Sequence, residues 1–507
     1  MDSLVEKSTN KSNKRNQPSK ESYIKDIESL IAKQREFYKS GKTRSFNFRK
    51  EQLEKLRTII EENEEEINKA IQDDLNRSDF AVIFTTGVVI TEIKYMLEHV
   101  LTLRPPFVSR RLKQWMEKNK NRSPMTFLGF KSYVESVPKG VVLIIGPWNY
   151  PFLLMIVPLI GAIAAGNCAV LKPSEVSKNT SNVIAKLINN NFDNNFIHAE
   201  QGGVEEAIVL TNNPSWDHIL FTGGTEIGRI VYQAAAKNLI PVTLELGGKS
   251  PAIVDKDVHL KLAARRIVST KFINAGQTCM APDYLLVHKD IKEPLKKEME
   301  HYLHKFFGDN VEKSKDFARI INNKQFDRLL PLINHGKIFL GGKNNPDTRF
   351  IEPTLLEDVD LNSQLMKEEI FGPILPIIEY ETDEEAINFI ETREHPLALY
   401  IYSKNKNFKK KILRNTNFGG AMINQSVIHY LHPEVPFGGK GNSGFGNYSG
   451  KYSFDTFSQQ RPVVEAGTYL DRFFERIKLK SFGYPPFKKR SLKLIKLFQR
   501  TFSRFRL

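Results

Sequence analysis

Val141-Val-Leu-Ile-Ile-Gly-Pro-Trp-Asn-Tyr-Pro151 is the stretch that decides the fold. Five apolar residues, four of them β-branched, are too few for a helix and read as a strand buried on both faces. Gly146 and Pro147 end it. The next apolar stretch, residues 152–165, has the length of a buried helix although Pro158 and Gly161 interrupt it. Further strands are expected at 168–171, 218–221 and 242–245, with helical stretches between them at 181–189 and 227–237. Strands alternating with helices imply crossover connections and a parallel sheet. Beyond it lies a second α/β stretch, with strands expected at 252–254, 284–287 and 374–378. Ahead of all this, residues 21–105 read as helical: Ile60, Ile67 and Ile71 recur at helical spacing, and Pro105-Pro106 closes the segment. There is no internal repeat, and two α/β domains are the economical reading of 507 residues.

The net charge of +16 sits at the ends. Residues 476–507 hold eleven Lys or Arg and no Asp or Glu, and the first twenty residues hold five basic and two acidic side chains. The body between them is near neutral. An enzyme of nucleic acid carries its basic charge around the cleft, so this distribution argues against a nucleic-acid partner. Two cysteines, Cys168 and Cys279, exclude a disulfide framework and fit a reducing compartment. The N-terminal tail, 1–20, has no apolar core and reads as a disordered basic segment rather than a secretory signal. No run of eighteen apolar residues is present, so no spanning helix is expected.

A thiol nucleophile needs a base, donors for the developing oxyanion and an acceptor for whatever leaves. Cys279 ends Asn274-Ala-Gly-Gln-Thr-Cys279, a turn of small residues that leaves its side chain accessible. Taken alone, a single cysteine is more often a buried small hydrophobe, and Cys168, on an expected strand, is read that way. Glu245 lies in Leu244-Glu-Leu-Gly-Gly-Lys-Ser-Pro251, at the end of an apolar strand. A carboxylate there is costly to bury without a role, and the two glycines let the backbone turn closely around it.

These stretches, with Pro147-Trp-Asn-Tyr-Pro151, Leu171-Lys-Pro-Ser-Glu175, Phe221-Thr-Gly-Gly-Thr-Glu-Ile-Gly228 and Glu369-Ile-Phe-Gly-Pro373, make six motifs in one order. In that order the chain resembles an aldehyde dehydrogenase from about residue 22 to about residue 486. The segments Pro436-Phe-Gly-Gly-Lys-Gly-Asn-Ser-Gly444, Phe454-Asp-Thr-Phe-Ser458 and Tyr484-Pro-Pro486 resemble the class 3, fatty-aldehyde branch.

The resemblance implies an α/β fold with a Rossmann-like NAD-binding domain over 21–245, an arm strand near 127–137 excepted. A catalytic domain is expected over 246–423, and an active-site loop with a β-strand oligomerisation arm over 424–465. A basic C-terminal segment, 466–507, completes the chain. The resemblance also supplies roles. Cys279 attacks the carbonyl to give a thiohemiacetal. Asn149, with the backbone N–H of Cys279, stabilises the oxyanion, and Glu245 activates the water that hydrolyses the thioester. No metal is expected.

The cofactor is expected to be NAD. Gly223 and Gly228 open a helix whose N-terminus suits a pyrophosphate. Gly224 departs from the family, which commonly has Ser or Asn there, so this chain lacks that side-chain contact to phosphate. Lys172 and Glu175 are expected to hold the adenosine ribose, the carboxylate disfavouring a 2′-phosphate, while Glu369 grips the nicotinamide ribose beside Phe371. Without the resemblance, Lys172 and Glu175 would be an ordinary surface pair.

The branch implies medium- or long-chain aliphatic aldehydes, with Phe437 and His429 as candidate pocket residues, and a homodimer joined through strands near 130–137 and 457–464. Aromatic aldehydes or semialdehydes are the alternative substrates, and a non-catalytic membrane scaffold is a remote alternative disfavoured by the intact Cys279, Glu245 and Asn149. Residues 487–507 form an expected amphipathic helix: Phe487, Leu492, Leu494, Ile495, Phe498, Phe502 and Phe505 share one face, and Lys489, Arg490, Lys493, Lys496, Arg500 and Arg504 the other. That pattern points to peripheral contact with an anionic membrane surface facing the cytosol, in place of the spanning helix of many fatty-aldehyde relatives.

Overall fold

The computed structural model describes residues 19–97, 111–121 and 130–467, with isolated positions between 472 and 497. Of the disordered tail expected over 1–20, residues 1–18 lie outside the described residues, while Ser19 and Lys20 instead cap and open the first helix; the continuous helix expected over 487–507 also lies outside them. The chain forms two compact units, Met1–Leu112 with Pro138–Phe457, and Lys113–Val137 with Ser458–Leu507.

The first unit begins with four helices: α1 (Lys20–Lys39), α2 (Phe46–Glu62), α3 (Glu64–Leu75) and α4 (Asp79–Leu97). Ser19 and Ser45 cap α1 and α2 by accepting from Ser22 N and Phe48 N, at 3.2 and 3.5 Å. In α4 the mean hydropathy reaches 1.6, enough in length and composition to cross a membrane, and 44% of that window is buried against the rest of the unit. Val82, Val89, Ile93 and Met96 face inward, while Phe80, Ile83 and Phe84 are exposed.

Residues 141–145 form the fully buried strand β1 (Val141–Ile145) at the heart of a six-stranded sheet. Its companions are β2 (Cys168–Lys172), β3 (Ile197–Ala199), β4 (His218–Thr222) and β5 (Val242–Glu245). All are parallel, with β3-β2-β1-β4-β5 in order, and the antiparallel strand Gly444–Phe445 closes the edge against β5. Between β1 and β2 runs α5 (Leu153–Ala165), every residue buried. It ends on Gly166 at φ 88°, and Asn167 then locks the corner: its side chain accepts from Gly140 N and donates to Phe457 O. Between β4 and β5 lies α6 (Thr225–Ala236).

A seven-stranded sheet comes next, built from β6 (Pro251–Val254), β7 (Tyr284–His288), β8 (Lys337–Leu340), β9 (Thr354–Glu357), β10 (Ile374–Tyr380), β11 (Ala398–Tyr402) and β12 (Gly420–Ile423), in the order β8-β9-β10-β7-β6-β11-β12. It is parallel except at the β8–β9 edge. Ile253, Leu286, Leu399, Ile401, Phe408 and Ile412 belong to its core. In the second unit Asn119–Asn121 pairs antiparallel with Phe130–Pro138, and Ser458–Ala466 is the third strand of that sheet. These are the strands expected near 130–137 and 457–464.

Candidate active site

Cys279 comes after a turn in which Asn274, Ala275 and Gly276 all have positive φ, at 52°, 51° and 75°. Two of the three carry a side chain in a conformation that costs energy, so neighbouring contacts must hold it. Gly276 meets the carbonyl of Gly372 so closely that a β-carbon there would stand 2.2 Å from the oxygen. Amides do the rest. Asn274 Nδ2 donates to Asn149 O at 3.0 Å and to Gln277 O at 3.1 Å. Gln277 Nε2 donates to Asn274 O and Arg319 O, and its Oε1 accepts from Ile321 N. The Tyr150 hydroxyl and Thr278 Oγ1 are 2.9 Å apart.

Asn149 joins this network from the loop after β1. Its Nδ2 donates one hydrogen to Gln277 O at 3.1 Å, and the residue is 2% exposed. Cys279 itself is partly exposed. Burial, and behind it the carboxyls of Glu369 and Glu245, push its thiol well above the usual range, while the backbone N–H groups of Cys279 and Met280 act the other way. The resting thiol is therefore protonated at neutral pH.

Glu245, the last residue of β5, is buried with neither carboxylate oxygen hydrogen-bonded. Burial holds its carboxyl well above the usual range. An unpartnered buried carboxyl is expensive, and such groups mark sites of chemistry more often than scaffolding. Glu369 is pushed up to about 8, by burial first and by Asp283 second. Its turn is fixed from behind: Ile370 N donates to Asp283 Oδ1, Lys249 pairs with Asp283, and Arg328 Nη2 donates to Ile370 O at 2.7 Å. Phe371 meets the Trp148 ring edge-on at 5.3 Å between centroids.

A cavity of about 580 Å³ brings these groups together. Asn149, Glu245, Cys279, Glu369 and Phe371 line it, and so do Lys172, Glu175 and Gly223. Lys172 is nearly fully buried, donating to Pro173 O at 3.0 Å and pairing with Glu175 at 3.5 Å. A β-carbon on Gly223 would strike the Phe221 ring at 2.5 Å, whereas the same atom on Gly224 would meet nothing within 4 Å. The floor at the N-terminus of α6 is thus open backbone, a cradle that suits a pyrophosphate. Gly228 does not line the cavity. It is buried against Leu246, whose Cδ2 lies 2.5 Å from where its β-carbon would be.

The two candidate pocket residues fall in an aromatic cluster outside that cavity. His429 packs on Phe437, and Phe437 meets Tyr430 and Tyr448 edge-on at 5.0 and 5.5 Å. Phe437 and Tyr448 also exchange backbone hydrogen bonds. Burial pushes His429 down to about 4, and neither ring nitrogen has a partner. The Tyr430 and Tyr448 hydroxyls face each other, and both are raised, by burial first, with Cys279 and Glu245 contributing. Tyr430 also lines a second cavity, of about 450 Å³.

Asp283, Lys249, Arg328, Tyr430 and Tyr448 are not among the residues that the sequence singles out. Tyr448 lies four residues beyond the Pro436–Gly444 segment, which is the one local signal that could have drawn attention to it.

The sequence matches the aldehyde dehydrogenase family over residues 10–463. It is 45% identical over 442 residues to aldehyde dehydrogenase family 3 member A2 of Rattus norvegicus, covering 87% of this chain and 89% of that protein. It is 44% identical over 441 residues to a Rattus norvegicus protein named aldehyde dehydrogenase, dimeric NADP-preferring, covering 87% and 95%. Among solved structures, the substrate-bound Staphylococcus aureus AldH superposes with a TM-score of 0.86 at 42% identity, covering 93% of this chain and 99% of that one.

Proposed function

The chain belongs to the aldehyde dehydrogenase family, and from that premise we propose that it oxidises medium- and long-chain aliphatic aldehydes to carboxylic acids, with NAD as the preferred cofactor. The observation that carries this is the convergence of Cys279, Asn149 and the unpartnered Glu245 on one cavity. The aldehyde chain is assigned to the second, largely apolar cavity, whose lining residue Tyr430 feels the charge of Cys279.

The Cys279 thiol gives up its proton to solvent and the sulfur adds to the aldehyde carbon, forming the thiohemiacetal oxyanion. The developing oxyanion accepts from the Asn149 amide hydrogen not engaged by Gln277 and from the Cys279 backbone N–H. When bound, NAD supplies the hydride acceptor and a positive ring whose field favours the thiolate. Lys172 and Glu175 hold the adenosine ribose, Gly223 with the N-terminus of α6 cradles the pyrophosphate, and Glu369 and Phe371 position the nicotinamide end. The Glu175 carboxylate repels a 2′-phosphate, which supports NAD over NADP. Loss of hydride leaves a thioester on Cys279. Glu245 takes a proton from the water that cleaves it, and its raised carboxyl suits that task near neutral pH.

We assign 21–245 to nucleotide binding and 246–423 to catalysis. The Phe130–Pro138 and Ser458–Ala466 strands are assigned to a homodimer arm, and the basic C-terminal segment to the cytosolic face of an anionic membrane. NADH production from hexanal, hexadecanal and benzaldehyde tests the reading. Turnover rising with aliphatic chain length and abolished in Cys279→Ser is expected; no NADH from any aldehyde would overturn it. Deleting residues 487–507 should abolish sedimentation with anionic liposomes and leave hexanal turnover intact.

A further inference from the structure

The second cavity is apolar with one ionisable exception that is not a tyrosine. From α4 it is lined by Ile83, Phe84, Val88 and Glu92, and opposite them stand Tyr430 and Leu431. No Lys, Arg or His is among its described lining residues. Glu92 is 7% exposed, and one of its carboxylate oxygens accepts from Gly450 N at 2.6 Å. Gly450 has φ +53°, and a β-carbon there would stand 2.0 Å from Pro433 O, so the turn that supplies this donor is fixed from both sides.

We propose that Glu92 determines specificity, turning away aldehydes that carry a second, anionic group on their chain and admitting neutral ones. This rests on the reading that the aldehyde chain lies in this cavity. A carboxylate-bearing semialdehyde would find no cation to pair with among the described lining residues and would face the like charge of Glu92. Rejection by an unpaired charge is a recurring source of discrimination.

The surroundings leave Glu92 uncompensated. Arg111 lies over the Tyr95 ring at 4.1 Å but is engaged by Glu434 at 2.9 Å. On α3, Glu64 accepts from Thr86 Oγ1. Tyr95 and Tyr430 are neutral hydroxyls raised by burial, Cys279 and Glu245 act on Tyr430, and α5 contributes Val157 to the cavity. Burial pushes the Glu92 carboxyl up to about 7, and the Gly450 N–H is what acts against that. Glu92 therefore passes from neutral to charged across the physiological range, and rejection strengthens as pH rises.

The test compares kcat/KM for NADH formation on two matched pairs, hexanal with adipic semialdehyde and nonanal with azelaic semialdehyde, using the full chain. Wild type should favour the neutral member of each pair, more strongly near pH 8 than near pH 6. Glu92→Gln should shift the anionic-to-neutral ratio of kcat/KM about tenfold toward the anionic member, the scale of a like charge several ångströms away at intermediate dielectric. A purely structural role for Glu92 would lower both members together. Thr91→Lys, at an exposed position on the same cavity, keeps Glu92 in place and should also favour the anionic member. An unchanged anionic-to-neutral ratio in Glu92→Gln, with hexanal turned over normally, overturns the proposal and leaves the proposed function standing. If Glu92→Gln loses neutral turnover as well, the absence of any gain in Thr91→Lys overturns it. A wild type inert toward hexanal and nonanal removes both readings.

Discussion

The side-chain amide of Asn149 donates to the carbonyl of Gln277 at 3.1 Å, two residues before Cys279. That bond uses one of two amide hydrogens and sets the direction of the other. Asn149→Ala should therefore lower kcat by about 10²–10³, the usual cost of removing one oxyanion donor. Steady-state rates checked against an unchanged cofactor Kd would show whether the loss is confined to the chemical step; a tenfold or smaller fall would remove Asn149 from that role.

Glu245→Gln should separate acylation from deacylation. The variant should release about one NADH per site in a burst and then stall, with a thioester on the protein visible by mass spectrometry. In wild type, burial raises the carboxyl, so its basic form, and with it the deacylation rate, should increase with pH through a midpoint above the ordinary carboxylate range. A flat profile across that range would count against Glu245 as the base.

Gly224 offers a gain-of-function test. It precedes α6 with φ −71° and ψ 148°, a conformation that serine adopts readily at a helix N-cap, and the space around its missing β-carbon is open. Gly224→Ser should tighten NAD roughly fivefold, the value of one added hydrogen bond, as measured by titration calorimetry. Unchanged affinity would place the phosphates elsewhere.

Glu92 links stability to pH. In the unfolded chain it ionises near 4.5, whereas the folded protein keeps its proton until about 7. The stability contributed by the protonated group is complete below the first value and is lost as pH rises through the second. Glu92→Gln cannot ionise and escapes that loss. Urea unfolding should find the variant more stable than wild type by roughly 3 kcal/mol at pH 8, with the two converging as pH falls below the unfolded value.

What could be read from the sequence was what short stretches encode. The buried runs at Val141–Ile145 and His218–Thr222 announce a parallel sheet because burial on both faces leaves no alternation to hide it. Gly420–Ile423, half-buried at a sheet edge and opening on glycine, gives no such run and is not legible as a strand. The aldehyde dehydrogenase motifs drew attention to Cys279, Glu245 and Asn149, since each carries its turn chemistry beside it, and the three line one cavity. Glu92 and Tyr430 have no local signature. They meet across more than three hundred residues of chain, and each looks ordinary in its own helix or loop. Lys249, Asp283 and Arg328 escape for the same reason, acting through backbone atoms of a turn far along the sequence.

The turn before Cys279 also sets an order of events during synthesis. Its left-handed residues are held by Arg319, Ile321 and Gly372, all of which leave the ribosome after it. A nascent chain ending before Gly372 has made Cys279 but cannot yet hold its turn in place. The Cys279 turn thus matures late in translation, and a product truncated between these points carries the cysteine without the contacts that shape its turn.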